Sequence, residues 1–364
     1  MYTIWIDMTC IYQTGKFSGV PKTTWNLAKE MLLQTVKNGN EKVRVCLWQT
    51  TNNEAKFCRE MEREILNDEQ MQEEEKEVNF QRGDVLLLPN TNYNVGYKMI
   101  DAAKTGLCII PFLHDIIPLT HPEFCHSNYN EHFQKWIESF EQFESGIICN
   151  SAFTINSYRE NFSFKYPIEF VHLGCDKKNF EISPLSILPK GINVLMVSTI
   201  EPRKKYAETL EQFEKIWKTR DDINLIIVGS KGWNVDNLID KMVNHPRQHK
   251  NLFNVCKLSE GQLNFLYQNC NLFLFASEIE GFGLGVIEAA RFGTPLLLRD
   301  IPVFREIAGD HATYFQNFSD LPDLICKNEF KRSDGMRINS WADSGRNCLQ
   351  SIDKIRDCYM KTHE

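Results

Sequence analysis

The chain has 364 residues, 42% hydrophobic and 24% charged, with a formal net charge of −7 at pH 7. That length suits two domains rather than one core, and the apolar content excludes a disordered chain. The acidic balance speaks against a general nucleic-acid binder.

No apolar run approaches the roughly 20 residues needed to cross a bilayer. Asp7 interrupts the first apolar segment and no basic residues precede it, so no signal peptide is expected. Twelve cysteines form no Cys-x-x-Cys pair and no Cys/His metal spacing. Several of them, such as Cys46, Cys108 and Cys149, lie inside apolar runs. This usage predicts reduced, buried thiols in a cytosolic protein, with peripheral attachment to a membrane left open.

Tyr2 to Asp7 reads as the first strand. A loop from Thr9 to Pro21 follows, with Gly15 and Gly19, and a helix starts near Lys22 whose buried face carries Trp25, Ala28 and Leu32. Val43 to Trp48 is a second strand. The stretch 52–81 is polar and acidic around Glu73-Glu74-Glu75 and reads as a solvated helix or loop. Asp84 to Leu88 is another strand and Val95 to Lys104 a helix. Leu107 to Phe112 reads as a central strand, which puts His114 at its carboxyl end, where open α/β sheets bind ligands. The plain alternative is a structural or exposed loop histidine. Phe133, Trp136, Ile137, Phe140 and Phe143 make a helical stripe for core packing. Gly146 to Asn150 is a strand, Ser151 an N-cap, and Ile168 to His172 the last strand of the first half.

Asp176 to Gly191 reads as a linker, with Pro184, Pro189 and Gly191 and little periodicity. Ile192 to Val197 is a strand, followed by Ser-Thr-Ile-Glu-Pro-Arg-Lys-Lys over 198–205 and a helix marked by Tyr206, Leu210, Phe213 and Trp217. Arg203, Lys204 and Lys205 stand just before that helix, well placed for a diphosphate. A solvated basic cluster is the alternative. Asn224 to Val228 and Leu252 to Val255 are further strands. The C-terminal helix starts at Ser340, with Asp343 placed as in a capping box.

The stretch Asn271 to Gly293 is the most informative. Asn271 to Phe275 has the length and aromatic content of a buried strand. The chain then turns through Glu280-Gly281-Phe282-Gly283-Leu284-Gly285, and Val286 to Phe292 reads as a helix with Glu288 in its first turn. Strand, glycine turn and helix start together make an anion site. Carboxylates beside phosphate repel it, so Glu280 and Glu288 fit hydroxyl-rich groups attached to that phosphate, as acidic residues fit ribose in dinucleotide folds. One acid for a ribose and one for a sugar, with a diphosphate between, describes a nucleotide sugar. Against this stands a buried βα unit whose glycines only serve packing.

Glu280-Gly281-Phe282-Gly283, Glu288-Ala289-Ala290 and Gly293-Thr294-Pro295 resemble the motif of two glutamates with seven residues between them in retaining GT-B glycosyltransferases, especially glycosyltransferase family 4. Gly285 departs from it, since many relatives carry proline there, and a looser turn is expected. His114-Asp115-Ile116-Ile117-Pro118 and Glu201-Pro202-Arg203-Lys204 are similar to a mannosyl- or rhamnosyltransferase-like subset from bacterial surface-polysaccharide synthesis. Leu173-Gly174-Cys175-Asp176 resembles the end of that family's N-terminal domain. Pro302 to Glu306 resembles a segment in which Glu306 would support the loop from behind.

The resemblance implies a GT-B fold, two doubly wound parallel-sheet α/β domains facing across a cleft. The boundaries are an acceptor-side domain over 1–178, a linker over 179–191, a nucleotide-sugar domain over 192–340, and a helix over 341–364 that crosses back to the first domain. It implies donor contacts from Arg203, Lys204, Glu280, Gly281, Phe282, Gly283, Leu284 and Glu288, with Glu288 on the ribose and Glu280 on the sugar. Lys204 aligns with the family lysine. Arg203 would replace the guanidinium lost at Thr199, and Ser18-Gly19-Val20 would lie near the diphosphate or acceptor. His114 would face the donor sugar, so His114, Glu280, Arg203 and Lys204 are the catalytic candidates.

The implied reaction is retaining hexose transfer from a nucleotide-diphosphate sugar, GDP-mannose in type, to a glycan or glycolipid, with no metal because no Asp-x-Asp motif is present. No nucleic acid is implied as a partner. A nucleotide-sugar epimerase, a glycan phosphorylase and a non-catalytic sugar-nucleotide binder remain open as alternatives at this point.

Overall fold

A computed structural model describes residues 2–14, 19–37, 42–49, 54–67, 77–91, 97–125, 129–176, 182–185 and 188–363. Gly15, Ser18, Glu73 to Glu75, Val95 and the linker positions 177–181 and 186–187 lie outside the described residues. The chain divides into two compact units. The first takes residues 1–122, 127–174 and 339–364, and the second takes 123–126 and 175–338.

The first unit holds β1 (Ile4–Asp7), β2 (Val43–Gln49), β3 (Glu54–Phe57), β4 (Val85–Leu88), β5 (Cys108–Leu113), β6 (Ile147–Cys149) and β7 (Ile168–Phe170). They form one seven-stranded sheet in the order β3-β2-β1-β4-β5-β6-β7. All pairings are parallel except β2 with β3. Continuous apolar runs such as Val85–Leu88, buried at every position, suit strands covered on both faces. The aromatic stripe lies on the helix Tyr129–Phe143, and all five of its residues are buried in the core against β5 and β6. Ser151 caps the next helix, its Oγ accepting from Thr154 N at 3.0 Å.

The acidic stretch departs from expectation. It contributes the antiparallel edge strand β3 and the helix Arg59–Leu66. Cys58, Met61 and Ile65 are buried at helical spacing. Glu62 is buried with them, accepting from Val45 N at 3.1 Å and Arg44 Nη1 at 3.2 Å. Paired in this way, one carboxylate can face inward without disrupting the helix. The loop expected over Thr9 to Pro21 also changes. Thr9–Thr14 is helical, and the long helix begins at Gly19, three residues before Lys22.

The helix Trp341–Thr362 belongs to the first unit and packs along Gly19–Lys37. Its capping box is complete. Asp343 N donates to Ser340 Oγ, and Ser340 N donates to Asp343 Oδ2, both at 3.1 Å. Gly174 lies against the start of this helix, where an added Cβ would stand 2.5 Å from the Ser340 backbone.

The second unit holds β8 (Ile192–Val197), β9 (Ile223–Val228), β10 (Leu252–Val255), β11 (Leu272–Phe275), β12 (Leu296–Arg299) and β13 (Thr313–Phe315). They form a six-stranded, all-parallel sheet in the order β10-β9-β8-β11-β12-β13. The chain winds outward from β8 to β10, then crosses to β11 and winds the other way. The reversal falls between β8 and β11. In open parallel sheets, the loops leaving the carboxyl ends on either side of such a reversal diverge and leave a crevice.

Twelve free cysteines are present. Cys46, Cys108 and Cys149 are buried as expected, whereas Cys256 and Cys358 are exposed, a correction to the all-buried reading. Among the described residues, no helix is long and apolar enough to cross a membrane.

Candidate functional site

Two loops leave the sheet of the second unit at its reversal point, one after β8 and one after β11. The first carries Ser198 to Lys205. Its path is fixed against the β9 loop, where Ile200 N donates to Ser230 O and Gly232 N donates to Ile200 O, both at 2.9 Å. A Cβ on Gly229 would lie 1.9 Å from Ser198 O, so only glycine allows this approach. Pro202–Lys204 then forms a single 3₁₀ turn, and Lys205, with φ 55°, starts the helix Tyr206–Ile216.

The second loop runs from Ala276 to Gly283. The two are tied together at the backbone, since Glu278 N donates to Arg203 O at 2.9 Å. They are also tied by side chains. Arg203 Nη1 lies 2.7 Å from Glu280 Oε2 and donates to Ile279 O at 3.0 Å. Arg203 Nη2 lies 2.6 Å from Glu201 Oε1. Lys204 Nζ pairs with Glu280 Oε1 and sits 4.8 Å above the Phe275 ring. Lys205 is turned elsewhere, 2.6 Å from Glu278 Oε2 and 3.2 Å from Glu208 Oε1.

Three of these groups are withdrawn from solvent, while Arg203 and Lys205 are partly exposed. Lys204 is 6% exposed, Glu280 7% and Glu201 3%. Burial pushes the Glu280 carboxyl up, but Arg203 and then Lys204 outweigh it and bring its pKa down to about 2. Burial and the adjacent Arg203 lower the Lys204 ammonium from its ordinary value, opposed by Glu280 and Glu201. Glu201, Arg203, Lys204 and Glu280 thus form a compact cluster of two carboxylates and two cations whose formal charges cancel.

Gly281, Phe282 and Gly283 are buried, and Gly283 sits at φ 108° as the N-cap of the helix Leu284–Ala290. The helix therefore starts two residues before Val286, and Glu288 lies in its second turn rather than its first. A Cβ on Gly283 would meet Phe304 Cε1 at 2.9 Å. Phe304, stacked on Phe275 with centroids 5.2 Å apart, backs this loop. Gly285 lies inside the helix, where an added Cβ would be 3.2 Å from Phe273 Cζ. It lets the helix approach β11 closely, in contrast to the looser turn expected there.

Glu288 is half-buried and accepts from Tyr267 Oη at 3.2 Å on the neighbouring helix Glu260–Asn269. Tyr267 itself is buried, between Phe273 and Phe292. Just beyond, Arg291 donates to Cys175 Sγ at 3.1 Å and to Asn264 Oδ1. The two glutamates of the motif therefore have different partners. Glu280 engages the cations, and Glu288 a phenol.

Arg203, Lys204, Glu280, Gly281, Phe282, Gly283, Leu284 and Glu288 all belong to the second unit, while Gly19 and His114 belong to the first. Gly19 has φ 51°, with nothing within 4 Å of an added Cβ, so backbone conformation alone favours glycine there. His114 follows β5, with its Nε2 2.8 Å from Pro89 O. Burial lowers its pKa to about 4, against the opposing Pro89 hydrogen bond. Asp115 accepts from Ile117 N at 3.0 Å, which holds its own loop. Glu201 and Tyr267 carried no assigned role in the sequence. A carboxylate two positions before Arg203 was the available signal for the first, while Tyr267 gave only a packing signal.

Residues 178–320 match the family "Glycosyl transferases group 1". The serotype-specific mannosyltransferase WbdA of Escherichia coli is 32% identical over 310 residues, covering 76% of this chain and 38% of WbdA. The chain thus spans under two fifths of the length of that relative. O-antigen chain mannosyltransferase B of Escherichia coli is 25% identical over 210 residues, 54% of each chain. Among solved structures, Anabaena Alr3699/HepE in complex with UDP-glucose superposes with a TM-score of 0.61 at 14% identity, covering 100% of this chain and 99% of that one. Residues 178–320 are therefore a group 1 glycosyl transferase domain, and the protein that carries them has the GT-B glycosyltransferase fold.

Proposed function

We propose that this protein transfers a hexose from a nucleotide-diphosphate sugar to a glycan or glycolipid acceptor, with retention of anomeric configuration, as a member of glycosyltransferase family 4. The observation that carries this reading is the cluster of half-buried Arg203 with buried Glu280 and Lys204 at the strand-order reversal of the second unit. A hydroxyl-binding carboxylate and two phosphate-binding cations meet there on adjacent loops.

In the proposed reaction the bond between sugar C1 and the diphosphate oxygen breaks, and its electron pair leaves with the diphosphate. Arg203 and Lys204 stabilise that growing charge. The acceptor hydroxyl bonds to C1 from the same face, and its proton passes to the leaving phosphate oxygen. Glu280 is ionised throughout the working pH range and orients sugar hydroxyls. The two cations take the part a metal plays in other transferases, so the reaction is proposed to proceed without one. Glu288 is assigned to the ribose, the Phe282 to Leu284 amides to the diphosphate or sugar, and His114 of the first unit to the donor sugar. Mannosyltransferase relatives favour GDP-mannose as the donor and a polysaccharide precursor as the acceptor.

The test is transfer from GDP-mannose, UDP-glucose and related donors to a panel of glycan acceptors in the presence of EDTA, with the product anomer read by NMR. Transfer with retention supports the reading. Donor epimerisation without an acceptor, or a requirement for inorganic phosphate, overturns it.

A further inference from the structure

Arg203 is held from two sides by carboxylates with different prospects. Glu280 is an oriented, hydroxyl-binding group in the reading above, and it must turn toward the sugar when the donor arrives. Glu201 has no such task. It precedes Pro202, is 3% exposed, and its backbone is fixed by the Ile200–Gly232 hydrogen bond. Its Cβ would stand 3.3 Å from a Cβ on Gly232, so glycine there leaves room for it. The guanidinium fork divides between the two acids, Nη2 on Glu201 at 2.6 Å and Nη1 on Glu280 at 2.7 Å. Lys204 has no second anchor of this kind, since Glu280 is its hydrogen-bond partner among the described residues.

We propose that Glu201 is a positioning residue that keeps Arg203 in place while Glu280 is exchanged for the donor's diphosphate. With Nη2 held by Glu201 and one Nη1 proton on Ile279 O, the planar guanidinium cannot follow Glu280 as that carboxylate turns away. Nη1 is then presented to the incoming phosphate oxygen in a fixed direction. Without the Glu201 charge, Glu280 is the carboxylate that remains on Arg203 among the described residues, and the two stay paired at the expense of the phosphate. The proposal rests on the donor-binding reading given above.

The experiment is calorimetric titration of wild type and Glu201→Gln with uridine, guanosine, adenosine and thymidine diphosphates, then with the monophosphate of whichever base binds. The substitution keeps the shape and removes the charge. Glu201→Gln should weaken the diphosphate about tenfold, an effect of charge-assisted hydrogen-bond size, and leave the monophosphate unchanged. In an Arg203→Ala background the same substitution should have no further effect, because Glu201 acts through Arg203.

Equal or tighter diphosphate binding by Glu201→Gln overturns the proposal, since it would make Glu201 a bystander or a competitor of phosphate. Equal weakening of both nucleotides also overturns it, as that is the mark of general structural damage. If Glu201→Gln does not fold, Glu201→Asp retracts the carboxylate by one methylene and should still lower the diphosphate-to-monophosphate affinity ratio; an unchanged ratio overturns the assignment. Failure of wild type to bind any of the four diphosphates overturns the donor reading itself, a separate outcome.

Discussion

Lys204 and Glu280 form a buried ion pair across 76 residues of sequence, joining the loop after β8 to the loop after β11. The pair is asymmetric. Glu280 has Arg203 as a second cation, whereas Lys204 has no second carboxylate within hydrogen-bond reach among the described residues.

That asymmetry fixes the order of two variants. Glu280→Ala strands a buried ammonium, a change that typically costs about 3–5 kcal/mol. Lys204→Ala leaves Glu280 on Arg203 and should cost less, so thermal melting should place Glu280→Ala below Lys204→Ala. Glu280 is depressed from 4.5 to about 2 in the folded protein, and this contributes stability that is present above pH 4.5 and lost as pH falls toward 2. In Lys204→Ala one of the two depressing cations is gone, and acid unfolding should begin at higher pH.

His114 should be neutral and carry its proton on Nε2. Pro89 O can only accept, so the nitrogen facing it at 2.8 Å is the donor and Nδ1 is left unprotonated. Nitrogen-15 NMR should therefore report the Nε2–H tautomer down to about pH 4, the value to which burial lowers the ring. The depressed pKa contributes stability that is full above pH 6.5 and lost as pH falls through 4. His114→Gln should flatten that part of the stability profile. An imidazolium signal at pH 6 would contradict this reading.

Tyr267 holds Glu288 from behind through a 3.2 Å hydrogen bond. Tyr267→Phe keeps the ring packing and removes only the hydroxyl. Nucleotide affinity should fall up to about tenfold, the size of one hydrogen bond to a charged group, with Glu288→Ala falling further. Unchanged affinity in Glu288→Ala would remove that residue from the ribose site.

Gly283 and Gly285 should separate sharply under substitution by alanine. Gly283 combines φ 108° with a Cβ position 2.9 Å from Phe304, and alanine there should cost roughly 1–3 kcal/mol and disturb the loop that carries Glu280. At Gly285, on a helical backbone, the added Cβ is tight only against the Phe273 ring edge at 3.2 Å, with Val197 O at 3.6 Å and Phe275 Cε1 at 3.7 Å in ordinary contact. Alanine also has the higher helix propensity there, so the change should be small. Denaturant melts of the two variants make the comparison.

The sheets were legible because buried parallel strands write themselves as unbroken apolar runs. Ile192–Val197 and Leu252–Val255 have the expected bounds. The acidic stretch hid β3 and the buried face of the helix Arg59–Leu66, because its charge count outweighed the spacing of Cys58, Met61 and Ile65. The motif residues were legible one by one, but their pairing was not. Nothing local indicates that Glu280 folds back onto Arg203 and Lys204, since that contact depends on β8 and β11 being neighbours in the sheet. Glu288 was placed one turn too early because Gly283 in a left-handed conformation starts the helix at Leu284.

The central claim is that the cation–carboxylate cluster between the β8 and β11 loops receives a nucleotide diphosphate. Its most direct test is a thermal-shift titration of wild type and Lys204→Ala with UDP, GDP, ADP and dTDP. A nucleotide at 100 times its dissociation constant adds about 2.7 kcal/mol to the state that binds it. The account predicts that one of the four, GDP foremost, stabilises wild type by that order and Lys204→Ala by much less. Equal stabilisation of both proteins, or none of either by any nucleotide, would contradict it.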